Sequence, residues 1–254
     1  MQASLSLIGF GEAGSTFARA AGWEDEARAF DIADKSKAYR DAGVQGCDTL
    51  EDAIANASAI FSLVTADAAL SVAQTVAHHI SPDALYFDMN SVAPDTKRAA
   101  AKLIDAAGGC YVDVAVMAPV DPARLAVPLL LSGPYAQVGA ARLSALGFTN
   151  VRVVEGDVGR ASSIKMIRSI MIKGREALTA EMMLAAQQAG VADEVLASLG
   201  DGWVSKADYN LERMRTHGKR RAVEMEEVAK TLSALGIAPV MTNGTIQRQR
   251  EMAQ

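Results

Sequence analysis

Up to about residue 155, short β-type apolar runs alternate with Ala-rich amphipathic segments, and after Gly156 the β-type runs stop. The runs read as strands near Leu5 to Ile8, Ala27 to Asp31, Ala59 to Val64, Ala84 to Asp88, Tyr111 to Val116, Val127 to Ser132 and Val151 to Val154. The segments between them open with capping signals such as Thr49-Leu50-Glu51-Asp52, a Thr followed three residues later by an acid. Strand then helix, repeated, implies a largely parallel, doubly wound sheet covered on both faces. The remainder reads as helices over about 159–189, 192–200, 206–217, 219–235 and 243–252, punctuated by Gly190, Gly202, Gly218 and Gly236. The expected organisation is an α/β domain over 1–157 and an all-α domain over 158–254, joined by a long helix spanning ~45 Å if unbroken.

Half of the 254 residues are hydrophobic, enough for a sizeable core. A net charge of −5 with interspersed signs carries no basic stripe and argues against a nucleic-acid partner. Cys47 and Cys110 match no redox or metal spacing and read as small buried hydrophobes in a reducing compartment. His78, His79 and His217 lack the spacing of zinc ligands, so no metal is expected. The N-terminus enters a strand pattern directly and no apolar run reaches the ~18 residues of a spanning helix. A cytoplasmic protein without membrane partners is expected.

Gly9-Phe10-Gly11-Glu12-Ala13-Gly14 follows the first strand and opens a helix. In such a spacing the first glycine permits a tight turn, the second a close backbone approach to a pyrophosphate, and the third close helix–strand packing. The helix N-terminus adds unpaired N–H groups and a positive dipole end. The second strand ends in Asp31, where an acid can accept hydrogen bonds from an adenosine ribose. The pattern predicts a Rossmann-type dinucleotide site. Asp31 would repel a 2′-phosphate, which favours NAD; Lys35, Lys37 and Arg40 keep NADP open.

The stretch GRASSIKMIRSIMIKG carries Lys165 among apolar residues. On a helix Ser162, Lys165 and Ser169 share a face with Arg168 beside it, while Ile164, Ile167 and Met171 line another. Lys165 thus sits on a polar stripe of an otherwise buried helix at the domain boundary, where a cleft is expected. Either its stem snorkels to water or its amine serves as a proton-transfer group beside a nicotinamide. Partial burial and the Arg168 charge would both lower its pKa towards a useful range.

LIGFGEAGSTFARA at 7–20, FSLVTADAA at 61–69, DMNSVAP at 88–94, VDVAVMAP at 112–119 and GDVGRASSIKMIRS at 156–169 together resemble the β-hydroxyacid dehydrogenase superfamily, that of 3-hydroxyisobutyrate dehydrogenases and 6-phosphogluconate-dehydrogenase-like proteins. The resemblance covers nearly the whole chain. It implies an N-terminal Rossmann domain, a helical domain for substrate and homodimerisation, and reversible oxidation of a 3-hydroxy acid with Lys165 as acid/base. Position by position it places Val64 and Thr65 against the cofactor, Asn90 and Ser91 near the nicotinamide, and Val116 and Met117 in the substrate pocket. Either Ser169 or Asn90 would orient the reacting oxygen.

The substrate loop departs from the family's usual Asp-Ala-Pro-Val-Ser-Gly-Gly, reading Asp113-Val114-Ala115-Val116-Met117-Ala118-Pro119. Ser169 stands where the family usually has asparagine. The thioether of Met117 favours a larger or more apolar substrate than a short hydroxy acid. Arg220 and Arg221 are either an anion clamp or a solvated helix face; Arg124 and Arg168 are further cations for a substrate carboxylate. Trp203, Met182, Met183 and Met225 read as helix packing. Besides the CH–OH dehydrogenase, an imine reductase of this architecture and a non-catalytic NAD(P) sensor are alternatives; the retained lysine counts against the imine reductase.

Overall fold

The structure, a computed structural model, describes residues 4–253. The chain divides into two compact units at Lys165/Met166. The first contains β1 (Leu5–Ile8), α1 (Glu12–Ala21), β2 (Ala27–Phe30), α2 (Ser36–Ala42), β3 (Gln45–Gly46), α3 (Leu50–Ile54), β4 (Ala59–Ser62), α4 (Ala69–Ala77), β5 (Leu85–Asp88), α5 (Pro94–Ala106), β6 (Cys110–Val116), β7 (Leu129–Ser132), α6 (Ala136–Ala145) and β8 (Val151–Val153). They build an eight-stranded sheet in the order β3-β2-β1-β4-β5-β6-β7-β8. Every neighbouring pair is parallel except β6 and β7. Between those two strands the chain forms only the 3-10 turn Arg124–Ala126, and without a crossover helix it pairs antiparallel.

Strands β1, β4, β5 and β7 are buried along their whole length, as expected for a sheet covered on both faces. One side packs Phe10, Phe17, Trp23, Phe61, Phe87 and Phe148; the other packs Ile8, Ile54, Ile60, Tyr86, Ile104 and Tyr111. The Thr49 signal forms a cap, its Oγ1 accepting from the Asp52 N–H at 3.1 Å. Cys47 and Cys110 are free thiols, partly rather than fully buried. Burial pushes both thiols up, which keeps them unreactive.

Helix α7 (Arg160–Ala189) begins in the first unit and continues into the second, which also holds α8 (Ala192–Ser198), α9 (Trp203–Ala234) and α10 (Val240–Met252). Its opening residues Ala161 and Ile164 pack with Ala115 and Leu130 of the sheet, so the division falls beyond the composition change. The second unit has two apolar clusters, one around Met166, Met225, Val228 and Ile246, the other around Ala180, Met183, Leu211 and Met214.

Two sequence expectations are corrected in the helices. Gly218 does not end a helix; α9 runs through it. A Cβ at Gly218 would lie 2.4 Å from the Gln249 carbonyl oxygen, so the glycine lets α10 approach the bare backbone of α9. On α7 the polar stripe is the buried one: Ser162 and Ser169 are buried, whereas Ile167 and Met171 are 49% and 66% exposed. Ser162 bonds to Asp113 and Ser169 accepts from Lys173, which offsets the cost of burying these hydroxyls. Among the described residues no helix is long and apolar enough to cross a membrane.

Candidate active site

The chain turns to opposite sides of the sheet after β1 and after β4, which are neighbours, so a crevice opens beyond their carboxyl ends. The glycine loop leaves β1 there. Gly9 has φ +92°, and a Cβ on it would lie 2.6 Å from the Leu63 carbonyl oxygen, so the loop leading to Val64 and Thr65 passes directly against it. A Cβ on Gly14 would lie 2.5 Å from the Gly9 oxygen, whereas one on Gly11 meets nothing within 4 Å. Gly11 is the N-cap of α1, followed by Glu12 and Ala13. Two glycines thus close the loop against its neighbours, and the middle one faces open space at a helix N-terminus. That is the cradle a pyrophosphate requires.

Asp31 secures this loop: its Oδ2 accepts from the Phe10 N–H at 2.7 Å and its Oδ1 from the Ala33 N–H at 2.9 Å. Each oxygen retains acceptor capacity for a ribose hydroxyl. Ile32, beside it, is 96% exposed, and Lys37 is paired to Asp41. Asp34 accepts from the Ser36 hydroxyl and backbone, which holds its carboxyl below the usual range.

Gly11→Ala and Gly14→Ala should separate fold from binding. Gly14→Ala must push the loop apart and should cost about 1–3 kcal/mol. Gly11→Ala should leave the melting temperature nearly unchanged yet weaken dinucleotide binding, because its methyl enters the phosphate seat. Melting curves and NADH fluorescence titration would check both; equal destabilisation would contradict the assignment.

Lys165, half-buried on the second turn of α7, donates from Nζ to Ser91 Oγ at 2.6 Å. Ser91 follows Asn90 just beyond β5. Asn90 is 4% exposed; its Nδ2 donates to Ser62 Oγ at 2.9 Å and to Asp88 Oδ1 at 2.8 Å. The first unit therefore brings together the glycine loop, Asp31, the Val64–Thr65 segment and the Asn90–Ser91–Lys165 group. Val116 and Met117 are half-buried, and Met117 packs with Ala115, Leu130, Ala161 and Ile164, so its thioether serves the seat of α7.

Arg124 is exposed, at φ 52°, 3.9 Å from Asp121. Arg168, Ser169, Arg220 and Arg221 lie in the second unit. Arg168 and Arg220 are exposed, the latter 3.8 Å from Glu224. Arg221 matches neither reading made for it: it is 5% exposed and pairs with Glu176 through both Nε and Nη2. A guanidinium so engaged is neither a solvated face nor a free clamp.

Sequence reasoning missed a buried group beneath Ser91 and Lys165. Lys97, Asp88 and Asp113 are each fully buried, with Lys97 Nζ 3.0 Å from Asp88 Oδ1 and 3.5 Å from Asp113 Oδ1. Tyr111 donates to Asp88 Oδ2 at 2.6 Å, and burial drives its hydroxyl well above the usual phenol range. One local signal was available: a lysine in the first turns of a helix opposes the helix dipole and needs a reason.

Residues 4–143 match the model of the NAD binding domain of 6-phosphogluconate dehydrogenase, and residues 186–252 match a domain of unknown function, DUF1932. A conserved hypothetical protein from Sinorhizobium meliloti 1021 is 38% identical over 98% of this chain and 88% of its own, with a TM-score of 0.75. The conserved protein MTH1747, described as structurally similar to 3-hydroxyacid dehydrogenases, is 30% identical over 98% of this chain and 96% of its own, with a TM-score of 0.73. Mycobacterium tuberculosis 3-hydroxyisobutyrate dehydrogenase shares the fold, with a TM-score of 0.75 at 16% identity over 99% of this chain and 94% of its own. With its glycine cradle, its α/β sheet and these matches, the chain belongs to the NAD-binding family of 6-phosphogluconate dehydrogenase, within the β-hydroxyacid dehydrogenase superfamily.

Proposed function

We propose that the protein is an NAD(P)-dependent dehydrogenase or reductase acting at the carbinol carbon of a 3-hydroxyacid-like or related alcohol, with Lys165 as the general acid/base. The observation that carries this reading is the Lys165–Ser91 contact at 2.6 Å, in the same compact unit as the dinucleotide cradle. A nicotinamide bound on that cradle supplies the acceptor or donor of a hydride. Gly11 and the N-terminus of α1 would hold the phosphates on the loop that Gly9 and Gly14 close, and Asp31 would hold the ribose. Oxidation of an alcohol then leaves one proton on the substrate oxygen, and the Lys165 amine takes it, Ser91 fixing the direction of its lone pair; reduction reverses the transfer. Asn90 and Ser169 are the candidates for orienting the oxygen. The protein is expected to act as a homodimer.

NAD is the favoured cofactor. Asp31 at the end of β2 would repel a 2′-phosphate, and the exposed Ile32 beside it offers no cation; Lys35 and Arg40 are the cations that keep NADP open. NADH should bind at least about tenfold more tightly than NADPH, a difference of ~1.4 kcal/mol. Ile32→Arg should narrow that gap. The proposal is tested by following NADH and NADPH fluorescence against a panel of 3-hydroxy acids, their oxo counterparts, simple ketones and imines. Binding of cofactor without turnover of any carbonyl or carbinol compound would refute the dehydrogenase reading and leave the sensor.

A further inference from the structure

Asp88 and Asp113 are register partners on the parallel strands β5 and β6, side by side and fully buried. Like charges at such positions repel, and neither carboxylate reaches water. Lys97, from α5, is the cation between them. Its ammonium donates to Asp88 Oδ1 at 3.0 Å, to the Asp88 carbonyl and to the Val114 carbonyl at 3.3 Å, with Asp113 Oδ1 at 3.5 Å.

From this centre two arms extend. On one, Asp88 Oδ1 accepts from the Asn90 backbone N–H at 3.0 Å and from its side-chain amide at 2.8 Å, which sets the turn carrying Ser91. On the other, Asp113 Oδ2 accepts from the Gly159 N–H at 3.0 Å, the Ser162 N–H at 3.2 Å and the Ser132 hydroxyl at 3.0 Å. Ser132 Oγ in turn accepts from the Ala161 N–H at 3.0 Å. The N–H groups that open α7 are thus capped from β6 and β7, and the Asp113 charge lies at the positive end of the helix. Lys165 is one turn further along. The arms meet again where its Nζ donates to Ser91 Oγ at 2.6 Å.

We infer that Lys97 is a positioning residue: by tying Asp88 to Asp113 it holds the Ser91 turn and the start of α7 in register, and so fixes the Lys165 amine on the Ser91 hydroxyl. Lys97 touches neither substrate nor cofactor in this role. The inference rests on the proposed role of Lys165, yet the geometry it asserts is measurable without turnover.

The decisive variant is Lys97→Met in the full chain, similar in length and without the charge. Trace acetylation read by mass spectrometry reports how firmly Lys165 is held, with the remaining lysines as internal controls. In the variant Lys165 should label several-fold faster than in wild type, with NADH affinity unchanged. With a substrate in hand, kcat should fall by about ten- to a hundredfold and KM far less, the scale set by misplacing a reacting group by ~1 Å.

A second variant separates positioning from bulk stability. Without the ammonium, the groups facing each other are Asp88 from β5, Asp113 and the Tyr111 hydroxyl from β6, the Ser132 hydroxyl from β7 and the N-terminus of α7. In Lys97→Met/Asp113→Asn the new amide can bridge to Asp88, so labelling and kcat should return towards wild type, which general destabilisation would not produce.

A folded Lys97→Met protein with wild-type Lys165 labelling overturns the inference. If that variant does not fold, fast Lys165 labelling in the folded double variant overturns it as well. Failure of the wild type to turn over any compound in the panel sinks the dehydrogenase reading alone, since the labelling result still decides the role of Lys97.

Discussion

Lys165→Met is expected to lower kcat/KM by about 10²–10⁴-fold, the usual contribution of a positioned acid/base and equivalent to ~3–5 kcal/mol of transition-state stabilisation. NADH affinity should hardly change, because the glycine cradle and Asp31 are untouched by the substitution. Methionine keeps the length of the stem and removes only the amine that meets Ser91 Oγ. Lys165→Arg should be about as impaired: a guanidinium keeps the charge but neither accepts nor releases a proton at working pH. Ser91→Ala should cost less, roughly tenfold, since it removes the group that aims the amine and leaves the amine in place. Stopped-flow measurement of NADH formation, alongside equilibrium titration of NADH, would separate these effects. A Lys165→Met protein with wild-type turnover would remove the acid/base assignment, and partial recovery by added small alkylamines would support it.

The parts of this protein legible in the sequence are those governed by local pattern. Continuous apolar runs mark β1, β4, β5 and β7 because a strand buried on both faces demands them. The short β3 was invisible for the converse reason: Gln45 and Gly46 are both exposed and carry no apolar signal. The glycine cradle was legible because its three roles are set by spacing along one turn. Gly218 was misread since a glycine in a helical pattern signals either a break or a close approach, and the arbiter, Gln249, lies on another helix. Lys97 was overlooked on similar grounds. Its partners come from two strands that meet only after the sheet has formed, and the three residues lie on three different elements, β5, α5 and β6, so no single helix or strand pattern contains them. The inward direction of the α7 polar stripe also depended on distant partners, Asp113 for Ser162 foremost.

Arg221 belongs to the same class of buried, non-local charge, and its removal should have the largest effect on the stability of the helical unit. It pairs with Glu176 of α7, and Gln249 of α10 donates to the same carboxylate at 3.1 Å, so α7, α9 and α10 converge on one ion pair. Arg221, Glu176 and Gln249 are 5%, 4% and 0% exposed. Removing one partner strands the other charge without water, and such a loss costs about 3–5 kcal/mol. Arg221→Met and Glu176→Gln should each destabilise the unit on that scale. Arg221→Met/Glu176→Leu should be far less damaged than the sum of the single changes, because the desolvation of both charges disappears together. The chain offers a clean readout, having two tryptophans, Trp23 in the first unit and Trp203 in the second. In a Trp23→Phe background the remaining emission follows Trp203 at the start of α9, and urea titration reports unfolding of the helical unit. An Arg221→Met midpoint equal to that of the parent, or a double variant as unstable as the two single losses combined, would show that the pair is not the joint that holds these helices.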